Sequence, residues 1–288
     1  MIRKQAAARG SATILLVLFL VAACASFMLL KTRADAVVRK EVPGSSIIYI
    51  PSGKFLRYAT FGYSALAADL IYLWAIQYYS TPTIDDRFTH LDHIFAIIAE
   101  LDPGFIDPYE TGALIAQAEA QDINLAFKIL DSGIEKNPQQ WLLPFEAGHI
   151  AMMNLKDYDR ARRYFEKCMG LPGAPDFTKR LYANALYKKG DLETSWQTWL
   201  EIYNTAPDEQ TKKIASNHLY QVKAEIDTVR LKAAVAAFEE RYRHRPAGLG
   251  DLVRSGILSQ VPKDLDGRDY VYDPATGGVK AAVSPWKR

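Results

Sequence analysis

His90, Asp92 and His93 fall within four consecutive residues. At i and i+3 on a helix the two imidazoles share a face and could seat a metal ion. A third ligand is needed, and no H-E-x-x-H motif supplies one, so they read as solvated helix residues. Asp264, Asp266 and Asp269 surround Gly267 and form an oxygen-rich turn of the kind that takes calcium. The run is too short for an EF-hand loop and lacks the closing glutamate, so a plain Asp-Gly turn is favoured over a calcium site. Cys24 and Cys168 are the two cysteines. They are too few for a zinc set, and Cys24 lies in an apolar run where a disulfide is not expected. No P-loop, no G-x-G-x-x-G and no G-x-S-x-G occurs in the sequence. The expectation is a protein without catalytic residues, metal or cofactor.

The chain as a whole carries 35 Lys+Arg against 33 Asp+Glu, a balance that argues against a nucleic-acid partner. Its 49% hydrophobic and 24% charged residues are those of globular material. Residues 1–10 are basic through Arg3, Lys4 and Arg9, and residues 11–30 carry no charge at all. Twenty helical residues reach about 30 Å, the thickness of a bilayer core. A cleaved secretory signal has a shorter apolar stretch, about 7–15 residues. The run Val21-Ala22-Ala23-Cys24 resembles a bacterial lipobox, which would put a lipid on Cys24. The apolar run continues past it through Phe27 to Leu30, so an uncleaved single span is favoured. Lys31, Arg33, Arg39 and Lys40 follow the span, and basic residues on both sides leave orientation undecided by charge. A short tail before an early span points to an extracytoplasmic C-terminal domain on the cytoplasmic (inner) membrane.

Residues 31–57 read as a linker, with Pro43-Gly44-Ser45-Ser46 and a short extended run, Ile47 to Ile50. Beyond it the chain is predicted to be all-α and internally repetitive. Pro103, Pro138, Pro172 and Pro207 each close a segment, at separations of 35, 34 and 35 residues. A proline at that place stops a helix. A second frame has nearly the same period. Leu91, Phe95, Ile98; Ala126, Leu130, Gly133; Ala161, Phe165, Cys168; and Ser195, Trp199, Ile202 are each spaced 0, 4 and 7, one stripe of a helix. Asp157 and Asp191 mark turns between helices, and Gly148 is the small residue of a first helix. These features resemble the tetratricopeptide repeat (TPR), a helix–turn–helix unit of 34 residues. The resemblance covers about residues 61–222 and implies an α-solenoid over residues 58–222, with residues 223–245 as a capping helix. Ile226, Val229, Ala233, Ala236 and Ala237 are expected on its buried side.

In TPR arrays the first helix of each repeat lines a concave groove. Positions two, five, nine and twelve of each first helix would point inward. They are Asp107, Glu110, Leu114 and Gln117; then Leu142, Phe145, His149 and Met152; then Phe177, Arg180, Asn184 and Tyr187. The resemblance implies that this apolar, aromatic strip with a few polar groups takes a peptide or partner helix. Arg180 and Asn184 resemble part of a carboxylate clamp.

Residues 246–288 differ in kind. A short helix from Pro246 to Leu252 ends at Gly256, and a hairpin is expected from Tyr270-Val271-Tyr272, a turn at Asp273 to Gly278, and Val279 to Ala281. This order resembles the C-terminal segment of type II secretion major pseudopilins. Two functions follow from the two resemblances. The first is a membrane-tethered TPR scaffold that binds a protein or peptide in a cell-envelope complex. The second is a component of secretion or pilus machinery acting through its tail.

Overall fold

A computed structural model describes residues 2–35, 50–84, 86–284 and 286. Helix α1, Ile2–Asp35, is longer than the expected apolar segment. It runs on at both ends because alanines precede the span and no proline occurs before Pro43. Its window Leu16–Arg33 has mean hydropathy 1.8 and is wholly exposed, so the helix is long and apolar enough to cross a membrane. Residues 36–49, which hold most of the anticipated extended run, lie outside the described residues.

Helices α2 (Gly53–Ala59), α3 (Ser64–Tyr79) and α4 (Leu91–Leu101) pack together. Then come α5 (Asp107–Ala118) with α6 (Ile123–Lys136), α7 (Leu142–Ile150) with α8 (Tyr158–Met169), and α9 (Phe177–Lys189) with α10 (Leu192–Thr205). A π-turn, Ala151–Leu155, extends α7. Helix α11 (Glu209–Tyr242) packs on α10, and α12 (Leu249–Arg254) and strands β1 (Val271–Asp273) and β2 (Gly278–Lys280) follow. The chain is therefore mostly helical, with one apolar N-terminal helix and a small antiparallel sheet.

Alternate helices form two rows. In one, Tyr72 Oη of α3 lies 2.8 Å from Thr111 Oγ1 of α5. Phe145 of α7 meets Phe177 of α9 edge-on at 5.5 Å. In the other, Lys128 of α6 pairs with Asp92 of α4 at 2.6 Å, and the Tyr164 hydroxyl of α8 donates to Asp131 of α6 at 2.7 Å. Between the rows lie the 0, 4, 7 stripes, and every one of those twelve residues is buried. Small residues set the spacing. A Cβ on Gly148 would come within 2.7 Å of the Phe165 ring, and one on Gly112 within 2.8 Å of Phe95.

The turns inside the three pairs share one geometry. Gln121, Lys156 and Gly190 take φ of 55°, 55° and 94°, and each precedes an aspartate N-cap. Asp122, Asp157 and Asp191 accept from the N–H of Leu125, Arg160 and Thr194 at 2.9, 3.0 and 3.2 Å. A left-handed residue ends one helix and the carboxylate satisfies an orphan donor of the next.

Helix α11 runs unbroken through the boundary expected at 222/223. Its buried side is not the one anticipated. Val229, Ala233, Ala236 and Ala237 are exposed and Ile226 is half-buried, whereas Leu231, Ala234, Val235 and Phe238 are buried. The reason is the tail. Leu252, Leu258, Tyr270 and Val279 pack on the side that offers the bulkier Leu231 and Phe238. Strand β1 pairs with β2 through Tyr272 opposite Val279, as a hairpin closed by Asp273, whose carboxylate takes the Thr276 hydroxyl at 2.7 Å.

Candidate functional site

The anticipated groove residues lie along α5, α7 and α9, and the structure sorts them into three groups. At the α5–α7 end, Glu110 faces Glu146, with Asp107 one turn away. Partial burial, then repulsion from Glu146 and Asp107, pushes its carboxyl above the usual carboxylate range. Nearby on α5, the buried Oε1 of Gln117 has no hydrogen-bond partner among the described residues.

The middle is aromatic. Phe145 stacks on His149 at 6.4 Å, is tilted against Phe165 at 6.2 Å, and meets Trp141 edge-on at 6.0 Å. With Phe177 on the next helix it forms a continuous ring-lined strip. His149 is exposed, and Met152, in the π-turn, is half-buried.

The α9 end opens into a cleft of about 510 Å³ between the ends of α8 and α10 and the starts of α9 and α11. Met169, Phe177, Ile202 and Pro207 give it an apolar wall, and Lys179 and Arg180 give it two cations. Lys179 pairs with Glu201. Arg180 lies near Asp208, whose carboxyl is held low by the Thr211 N–H and hydroxyl ahead of the guanidinium. Asn184 is half-buried on the same helix. Tyr187 belongs elsewhere. It packs into the buried cluster of Trp199, Leu219 and Val222 that joins α9 to α11.

No protein-family model matches the chain, and no curated protein matches it. The site therefore rests on its own geometry.

Sequence reasoning missed Glu146, Trp141 and Lys179. Counting inward positions at steps of three and four lands on Phe145 and skips its neighbour, although a helix face about 100° wide admits both. The other chemical candidates have ordinary surroundings. His90 precedes α4 and His93 lies in its first turn, both exposed. Among the described residues no group of three or more His, Cys, Asp or Glu side chains is placed to hold a metal ion. In the acidic turn the carboxylate of Asp264 is buried and taken up by the protein's own donors. The Tyr220 hydroxyl and the N–H groups of Asp266 and Arg268 reach it at 2.7, 2.9 and 2.7 Å. Arg268 also pairs with Asp266 at 2.9 Å. That turn is closed on itself and serves to hold the tail.

Proposed function

We propose that the chain is a non-catalytic, membrane-tethered scaffold of TPR type whose first-helix row holds a protein or peptide partner. The observation that carries this reading is the strip from Phe145 and His149 through Phe177 into the Arg180-lined cleft. It offers aromatic area flanked by carboxylates at one end and by cations at the other, which suits an extended segment with an acidic or free carboxyl end at α9. The repeat reading is supported by the buried stripes and by the three equivalent Asp-capped turns. Helix α1 supplies the anchor, long and apolar enough to cross a membrane, and in this reading the helical domain lies on the extracytoplasmic side of the inner membrane. Confinement at the membrane raises the effective concentration of the scaffold, so a groove of modest affinity suffices. Lipid attachment at Cys24 is the lesser form of the same tether.

The test is crosslinking and co-purification from membranes with the full chain and with a Phe177→Ala, Arg180→Glu variant. Loss of a specific crosslinked protein is expected. An unchanged set of co-purifying proteins, with the variant folded, sinks the groove reading. The alternative, a secretion or pilus component working through its tail, is favoured by the separate small core that seats the tail on α11. A chain truncated after Arg245 separates the two, because the scaffold keeps its groove partner and the tail-driven component loses its own.

A further inference from the structure

Helices α2 and α3 carry a concentration of exposed apolar surface that the groove does not use. Tyr58, Phe61 and Tyr63 are 85%, 90% and 70% exposed, and Leu66, Leu70 and Leu73 form an exposed row on α3 at steps of four and three. That row is opposite the core face, where Ala68, Ala75 and Tyr79 are buried. Apolar side chains occupy both faces of the helix, interrupted on the exposed side by Asp69, beside Leu66 and Leu73, and by Gln77. Elsewhere in the helical domain, exposed large apolar side chains are spread over separate elements, such as Leu114, Leu200 and Val229. Phe61 is also held at φ 49°, a region that bulky residues avoid, and its ring is displayed outward.

Three observations say what covers this face. Lys54 and Arg57 are exposed on α2, against a single acidic residue, Asp69, between Pro51 and Tyr79. Tyrosine and phenylalanine beside basic residues, with leucines behind them, is the composition of a segment lying in a bilayer interface with anionic headgroups. The face is also tied to a membrane-spanning candidate. Asp35 ends α1 and Ile50 is fifteen residues on, a chain length that spans about 50 Å at most. Helix α3 has sixteen residues, about 24 Å and too short to cross a core of about 30 Å.

We infer that the α2–α3 face lies on the lipid surface of the bilayer that α1 enters, with Tyr58, Phe61 and Tyr63 at headgroup depth and the leucine row against the acyl boundary. This rests on the anchor reading above and adds a second membrane contact. Rotation of the scaffold about its tether is thereby restricted, and the groove is presented at a fixed height above the lipid.

The test uses the full chain carrying Cys24→Ala, with Cys168 buried and unreactive, reconstituted in phosphatidylethanolamine–phosphatidylglycerol vesicles. An environment-sensitive fluorophore is placed through Phe61→Cys, Leu70→Cys or, as control, Leu200→Cys. The first two are expected to emit at shorter wavelength and to lose fluorescence when nitroxide-bearing lipids are included. The control does neither. A wavelength shift without lipid quenching means that a second copy covers the face, and solvent-like emission means that nothing does. Either result overturns the inference. Alkaline extraction reads the anchor independently. Protein that is extracted has lost the anchor reading, whereas retained protein with unquenched probes has lost only the surface contact.

Discussion

Two carboxylates in this chain respond to pH with opposite sign. Glu110 has its carboxyl raised by partial burial and by Glu146 and Asp107. Its protonated form is favoured by folding, so its contribution is full below the ordinary glutamate value of about 4.3 and is lost as pH rises through the raised value. At neutral pH it is therefore a cost. Glu110→Gln is expected to raise the melting temperature at pH 7, with the difference from the parent vanishing near pH 4. Asp264 behaves in reverse. Burial pushes its carboxyl up, but the Tyr220 hydroxyl and the N–H groups of Arg268 and Asp266 together outweigh this and hold it low. Its contribution is present above the ordinary aspartate value of about 3.9 and disappears as pH falls through the lowered one. Asp264→Asn removes the acceptor for a buried hydroxyl and a charge-assisted set of bonds, a loss of about 1.5–3 kcal/mol. Chemical denaturation at pH 7 and again at pH 3 should show that loss shrinking in acid.

At the scale of elements, the recurrent turn sets the register of each helix pair. Lys156 takes a left-handed conformation that costs a non-glycine residue about 1–2 kcal/mol, and Asp157 returns about 1 kcal/mol as the cap. Lys156→Gly should stabilise the fold and Asp157→Ala should weaken it by about 1 kcal/mol, both read from urea midpoints at unchanged slope. Close approach acts similarly at Gly148. Gly148→Val must displace the Phe165 ring, and overpacking of this kind costs about 1–3 kcal/mol. Much of this was legible in the sequence. The 0, 4, 7 stripes named buried residues because each sets small and apolar residues on one helical face, with an aromatic at the middle position in three of the four. Asp157 and Asp191 announced their turns because Tyr158 and Leu192 begin new apolar patterns at once. Asp122 was harder to see, since Gln121 before it gives no hint of a left-handed residue. The buried side of α11 was misjudged for a related reason. In an alanine-rich helix apolar residues lie on every side, and only the distant Tyr270 and Val279 decide which side is covered. The row of first-helix positions was legible, but the facing of Glu110 and Glu146 was not, because it depends on how two helices are set against each other.

At the scale of the whole helical domain, stability is assembled from neighbours. From α3 to α12 each helix packs on those next to it in the chain, and α2 packs on α4, so most contacts join near neighbours. Two buried clusters meet along α11. One joins it to α9 and α10 through Trp199, Ala215 and Leu219, and the other joins it to the tail through Leu231, Phe238, Tyr270 and Val279. The second is pinned by buried charge. Asp227 accepts from the Tyr270 hydroxyl at 2.7 Å and pairs with Lys223, so the tail closes over a carboxylate that would otherwise be stranded. Truncation after Arg245 should therefore act locally. Without Tyr270 and Val279, the half of α11 from Asp227 onward exposes its apolar side, and Asp227 loses one of its two partners. Hydrogen exchange is expected to show lost protection there and unchanged protection from α5 to α8. Should protection instead fall evenly from α5 to α11, the helices would form one cooperative body, and the tail would be a keystone of the groove and not only a lid on its last helix.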